Sequence, residues 1–148
     1  MENQFIKNIR AFNEQLSLSA ITVSGPARLA RQPDALVIAG MGGSGLVATL
    51  LQEWATRGML PVPVIPWKDF GLPPALPGSR SPLYVCVSFS GNTYETLSAY
   101  KTARRAKAMV AVVAGGGALL SLARRDRIPH ATFDKGPLAP RQATGLML

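Results

Sequence analysis

The chain has one cysteine and one histidine in 148 residues, and only 8 acidic side chains against 16 basic ones. A lone cysteine excludes an internal disulfide. Cys86, set in the apolar run from Leu83 to Phe89, reads as a buried small hydrophobe in a reducing, cytoplasmic setting. With His130 the single histidine, no His, Cys and carboxylate cluster has metal-ligand spacing, so no metal is expected. No Gly-Lys-Ser/Thr run marks a nucleoside triphosphate site. Long hydrophobic runs are missing too: Gly, Pro or a charge interrupts each apolar stretch short of the ~18 residues of a membrane span. Residues 1–10 are mixed polar and lack the apolar centre of a secretory signal. Neither membrane association nor a cofactor is expected.

What is present fits one globular domain over residues 1–148. Apolar residues make up 47% and charged residues 16%, which excludes a disordered chain or a coiled coil and favours a buried sheet covered by helices. The net charge of +8 suits nucleic acid, an anionic membrane or an anionic metabolite. Its distribution narrows the choice. Arg104, Arg105 and Lys107 crowd one predicted helix end, and Arg124, Arg125 and Arg127 another, where the helix dipole favours cations. Without interleaved aromatics for base stacking, this reads as a solvated basic face, and no nucleic acid is expected.

Phe5, Ile9, Phe12 and Leu16 recur at helical spacing and predict an amphipathic helix over residues 3–18. Residues 24–33 read as a connection. Apolar runs at residues 35–39, 83–89 and 109–114 have the pattern of buried parallel strands. Prolines place residues 62–67 as a short strand near an edge, and residues 130–133 form a weak last strand. Between these lie predicted helices: one marked by Leu46, Val47, Leu50, Leu51 and Trp54, one at 93–106 and a short one at 119–125. Strands alternating with helices argue an α/β doubly wound, parallel five-stranded sheet in the order 2-1-3-4-5, flanked by helices.

Two unusual loops fall at the carboxyl ends of strands, where such sheets bind ligands. The first is Gly40-Met41-Gly42-Gly43-Ser44-Gly45, opening a helix whose free amides and dipole attract an anion. It also fits the dinucleotide fingerprint, with Asp69 where a ribose-binding acid would be sought. The second is Ser88-Phe89-Ser90-Gly91-Asn92-Thr93, whose hydroxyls supply neutral donors for a phosphate monoester. A dinucleotide fold does not call for it. Helix capping by Ser90 or Asn92 accounts for either residue alone, but poorly for two such loops together.

This pair of strings resembles the two phosphate-binding motifs of sugar isomerase (SIS) domains, the first in the form found in bifunctional phosphoglucose/phosphomannose isomerases. Pro66, Trp67 and residues 68–73 fit the same family's second strand and loop, and residues 136–145 the end of its first domain. The resemblance implies that Gly42, Gly43 and Ser44 contact a sugar phosphate and that Ser88, Ser90 and Thr93 bind its phosphoryl oxygens. It implies a role for Arg141 in stabilising charge on an enediolate, which its fixed cation suits; otherwise Arg141 is a surface arginine at a helix start. The implied ligands are fructose 6-phosphate, glucose 6-phosphate and mannose 6-phosphate, interconverted without a metal.

Two departures qualify this. Tyr94 precedes Glu95 where the family has an acidic residue directly after the Ser-Gly-Asn-Thr run. Family members are also about twice as long, with a second SIS domain that supplies the glutamate base and the ring-opening histidine. His130 reads instead as structural or solvent-exposed, and Glu95 as a first-turn residue favoured by the helix dipole. The expectation is an incomplete, truncated isomerase module that works with a second SIS domain or as a homo-oligomer. The alternatives are a non-catalytic sugar-phosphate sensor and a dinucleotide-binding domain.

Overall fold

The computed structural model describes residues 3–26, 28–74 and 76–148. Helix α1 (Gln4–Arg10) opens the chain, capped where the Asn3 side chain accepts from the Phe5 amide at 3.0 Å. It ends at Ala11, and a 3-10 turn (Phe12–Leu16) continues the path, so the single helix expected over residues 3–18 is broken. Strand β1 (Ile21–Ser24) comes next, in a stretch where no strand is expected. The remaining elements are β2 (Ala35–Ala39), α2 (Gly42–Thr56), β3 (Val64–Trp67), β4 (Pro82–Ser88), α3 (Tyr94–Arg105), β5 (Met109–Ala114), α4 (Gly117–Arg125), β6 (His130–Phe133) and α5 (Thr144–Met147).

The sheet has six strands in the order β1-β6-β5-β4-β2-β3, which corrects the five-stranded sheet expected, although the five expected strands keep their order 2-1-3-4-5 as β3-β2-β4-β5-β6. The addition is β1, antiparallel to β6 with Ile21 opposite Phe133 and Ser24 opposite His130. The other five strands are parallel to one another. Parallel strands need crossovers, and the intervening helices cover both faces. Alternation along each strand sorts the core in two. Val37, Ala39, Tyr84, Cys86, Val110 and Val112 face one cluster with Ala99, Tyr100 and Leu119, while Ile38 and Val87 face another with Val47, Phe133, Leu146 and Met147. Cys86 lies wholly inside, and burial pushes its thiol up to about 12, so it remains protonated and inert near neutrality.

One ion-pair cluster ties α3 to the end of α4. Arg125 donates to Asp126 Oδ1 at 2.8 Å and the buried Tyr100 hydroxyl to Oδ2 at 2.9 Å, and these bonds hold the Asp126 carboxyl below its ordinary range. A carboxyl depressed on folding stabilises the native state above its unfolded pKa, and that contribution is lost as pH falls through the folded value. Acid titration of stability should therefore fall below about pH 4, and Asp126→Asn should flatten that limb. Identical profiles for the two proteins would remove Asp126 from the acid transition.

The chain turns in opposite directions from the two central strands. From β2 it passes through α2 to β3, and from β4 through α3 to β5, so a crevice opens between their carboxyl ends. Both unusual loops lie there.

Candidate functional site

The loop after β2 enters α2 at Gly42, with Met41 as the extended residue before it. Gly45 N–H is the first amide bonded back along the helix, to the Met41 carbonyl at 3.2 Å, which leaves the amides of Gly42, Gly43 and Ser44 without intrahelical acceptors. The loop after β4 enters α3 through Thr93 in the same manner, with Leu97 N–H the first bonded back, at 2.9 Å. Two helices of 15 and 12 residues thus present their N-termini at neighbouring strand ends, where partial positive charge accumulates.

One contact fixes these loops to each other, and further hydrogen bonds brace each of them. Ser44 Oγ accepts from the Phe89 amide at 3.0 Å and donates to Met147 Sδ at 3.4 Å. Ser88 is 1% exposed, and its hydroxyl pairs with Thr93 Oγ1 at 3.0 Å while accepting from Gly91 N–H at 2.9 Å. Asn92 Oδ1 accepts from Ala118 N–H at 2.9 Å, and Ser90 Oγ from Asn92 N–H at 3.1 Å. Neither Ser90 nor Asn92 therefore caps α3. Asn92 instead secures the first turn of α4, which draws the glycine-rich end of β5 against the second loop.

A cavity of about 550 Å³ opens over both loops, lined by Gly42, Gly43, Ser44, Ser90, Thr93 and Arg141 together with Phe5, Met41, Phe89, Ala139, Pro140 and Gln142. Of the seven site residues expected from sequence, six meet here; Ser88 does not line the cavity and braces the loop from behind. Arg141 arrives on residues 139–142, whose backbone lies across the start of α2. The exposed Arg141 side chain has no hydrogen bond or ion pair among the described residues, so its charge is available to an anion. A second hollow of about 290 Å³, lined by Phe5, Asn8, Ile9, Phe12, Arg141 and Gln142, adjoins it.

Other candidates lie elsewhere. His130 is buried, with Nδ1 bonded at 2.8 Å to the Ile128 carbonyl, so its reading as a structural residue stands. Glu95 and Asp69 are outside the cavity lining, and Asp69 is engaged at 2.7 Å by the Phe70 amide. Among the described residues no three His, Cys, Asp or Glu side chains gather as metal ligands, and no helix is long and apolar enough to cross a membrane. Sequence reasoning missed Phe5, Met41, Phe89 and Gln142 because apolar and amide side chains in loops carry no chemical signature. Only proximity to the glycine and serine strings pointed to Met41 and Phe89.

No family model matches the chain. It is 38% identical over 112 residues to the bifunctional phosphoglucose/phosphomannose isomerase of Caldicellulosiruptor bescii, covering 76% of this chain and 32% of that protein. With the same enzyme of Aquifex aeolicus it shares 33% over 113 residues, 76% of this chain and 34% of the relative. The chain thus spans about a third of the length of the curated relatives it matches. Its fold superposes on the tagatose-6-phosphate ketose/aldose isomerase from Escherichia coli with a TM-score of 0.60 at 20% identity, over 97% of this chain and 40% of that one. With both motif loops at one crevice of a doubly wound sheet, the chain is a sugar isomerase (SIS) domain, a relative of the bifunctional phosphoglucose/phosphomannose isomerases.

Proposed function

We propose that this domain binds the phosphate of a hexose 6-phosphate within an aldose-ketose isomerase that interconverts glucose 6-phosphate or mannose 6-phosphate with fructose 6-phosphate. The observation that carries the reading is the convergence of two helix N-termini and the unpaired Arg141 cation on one cavity. The free amides of the α2 turn and the hydroxyls of Ser90 and Thr93 would take the phosphoryl oxygens. At about 550 Å³, the cavity is within the range that encloses small ligands.

Isomerisation moves a proton between C1 and C2 through a cis-enediol, so it needs a base between those carbons and charge stabilisation at the oxygens. Arg141 supplies the second. No His, Asp or Glu is among the described residues that line the cavity, so the base would come from a second SIS domain or a partner copy. The same observation favours a second reading, a non-catalytic sugar-phosphate sensor, for which binding alone suffices. Turnover separates the two: a complete isomerase assembly converts fructose 6-phosphate, whereas a sensor binds it unchanged.

Calorimetric titration of the folded protein with fructose 6-phosphate tests the binding that both readings require. Arg141→Ala should weaken it about 10–100-fold, the scale of a charge-assisted hydrogen bond. Unchanged affinity in that variant would remove Arg141 from the anion site, and no binding by the wild-type protein would overturn the sugar-phosphate reading.

A further inference from the structure

Helix α1 and the 3-10 turn that follows it bury the wrong side for an ordinary amphipathic segment. Of the apolar stripe in the sequence, Phe5, Ile9, Phe12 and Leu16 are 56%, 55%, 36% and 56% exposed, while Asn8 and Gln15 are only 8% and 7% exposed. Burying amides instead of aliphatic side chains costs stability unless the amides are bonded. Here both side chains donate to a single residue, while Gln15 Oε1 is left without a partner. Asn8 Nδ2 donates to Gln142 Oε1 at 3.3 Å, and Gln15 Nε2 donates to the Gln142 carbonyl at 2.7 Å. Gln4 Nε2 in turn donates to Asn8 Oδ1 at 2.9 Å and so orients that amide.

Gln142 is the residue after Arg141, and its side chain closes the turn that carries the arginine. Its Oε1 also accepts from Ala139 N–H at 3.0 Å, and its own amide donates to the Ala139 carbonyl at 2.9 Å. The backbone at residues 139–142 is irregular and is held besides by its contact with Gly43 at the start of α2 and by the Thr144 hydroxyl, which donates to the Arg141 carbonyl at 3.2 Å. A mobile cation contributes less to an anion site than a fixed one, because ordering it costs conformational entropy on binding.

We infer that Asn8 and Gln15 are positioning residues, which clamp Gln142 and thereby hold Arg141 over the two loops for the phosphorylated ligand. The inference rests on the sugar-phosphate reading of the cavity. It also explains the inverted burial: α1 and the 3-10 turn after it point their amides inward because the backbone to be held there is irregular and needs donors.

The test is a mutant cycle read by titration with fructose 6-phosphate, using Asn8→Leu with Gln15→Leu, Arg141→Ala and the three changes together. Leucine removes the donors at similar volume. The clamp variant should bind about tenfold more weakly, the scale of one or two hydrogen bonds, and adding its changes to Arg141→Ala should weaken binding no further. Wild-type affinity in the clamp variant, or losses that multiply with that of Arg141→Ala, would overturn the inference. If Gln15→Leu prevents folding, Asn8→Leu alone completes the cycle. If wild-type protein does not bind fructose 6-phosphate, the sugar-phosphate reading fails on its own account, and hydrogen exchange decides the clamp. Faster exchange of the Ala139 and Gln142 amides in the clamp variant, with α3 unchanged, supports it; unchanged exchange at those amides overturns it.

Discussion

Gly91→Ala should destabilise the domain by roughly 2–5 kcal/mol, adding left-handed backbone strain of about 1–2 kcal/mol to an overpacking cost of about 1–3 kcal/mol. Gly91 has φ +75°, and a Cβ there would run into the Gly116 carbonyl oxygen and stand 3.1 Å from Gly117 Cα. The neighbours are backbone and have no rotamer into which to retreat. Gly91 is also bonded on both sides: its amide donates to Ser88 Oγ at 2.9 Å, and its carbonyl accepts from Leu119 N–H at 2.8 Å. Separating the two chain segments would therefore disturb the Ser88 brace and the α4 start together. Gly58 provides the control, since its φ of +74° is nearly the same but nothing lies within 4 Å of its missing Cβ. Urea unfolding should show Gly58→Ala losing only the strain component and Gly91→Ala losing clearly more. Equal midpoints for the two variants would mean that the approach of Gly91 to Gly116 is not a constraint on the fold.

Gly43→Ala should act on the ligand rather than on stability. A Cβ at Gly43 would meet the Pro140 carbonyl oxygen at 2.5 Å and the Arg141 amide nitrogen at 2.9 Å, so residues 139–142 must lift away from the start of α2. Those residues are a turn, which can move, whereas Gly43 is fixed in the first turn of a 15-residue helix. Alanine is also favoured over glycine within a helix by about 1 kcal/mol, which offsets part of the strain. The expected result is fructose 6-phosphate affinity at least about tenfold weaker, with a melting temperature within a few degrees of wild type. Affinity at the wild-type level would show that Arg141 need not lie where the glycine allows it. A collapse in melting temperature would mean that the turn at residues 139–142 is part of the folding core.

The parallel strands were readable from the chain because burial on both faces leaves continuous apolar runs, as at residues 35–39, 83–89 and 109–114, which need no partner to be recognised. Strand β1 was not, since its burial pattern is mostly exposed and its four residues gain their geometry from the edge of β6. Its addition is why a five-stranded sheet becomes six-stranded. The first helix was misread for a related reason. Periodicity identifies an apolar stripe but not which side of the helix a neighbour will occupy, and here the neighbour is a polar turn. Asn8 lies in α1 and Gln15 in the 3-10 turn beyond its end, so helical spacing does not pair them, and only their shared partner Gln142 does.

By itself the sequence determined that two glycine- and hydroxyl-bearing loops follow two buried strands, and with that the fold class and the type of ligand expected. Those are local properties, set by backbone freedom, hydroxyl chemistry and strand-to-helix punctuation. Only the tertiary structure decided which hydroxyls face the cavity and which hold it together. Ser88 and Ser90 are chemically identical and two residues apart, yet one is buried against Thr93 and Gly91 while the other lines the cavity. Only the fold, likewise, brings Pro140 and Arg141 onto Gly43 and Gln142 onto Asn8 and Gln15. These contacts join segments far apart in the chain, and their energies depend on distances of a few tenths of an ångström, which no pattern of residue types encodes.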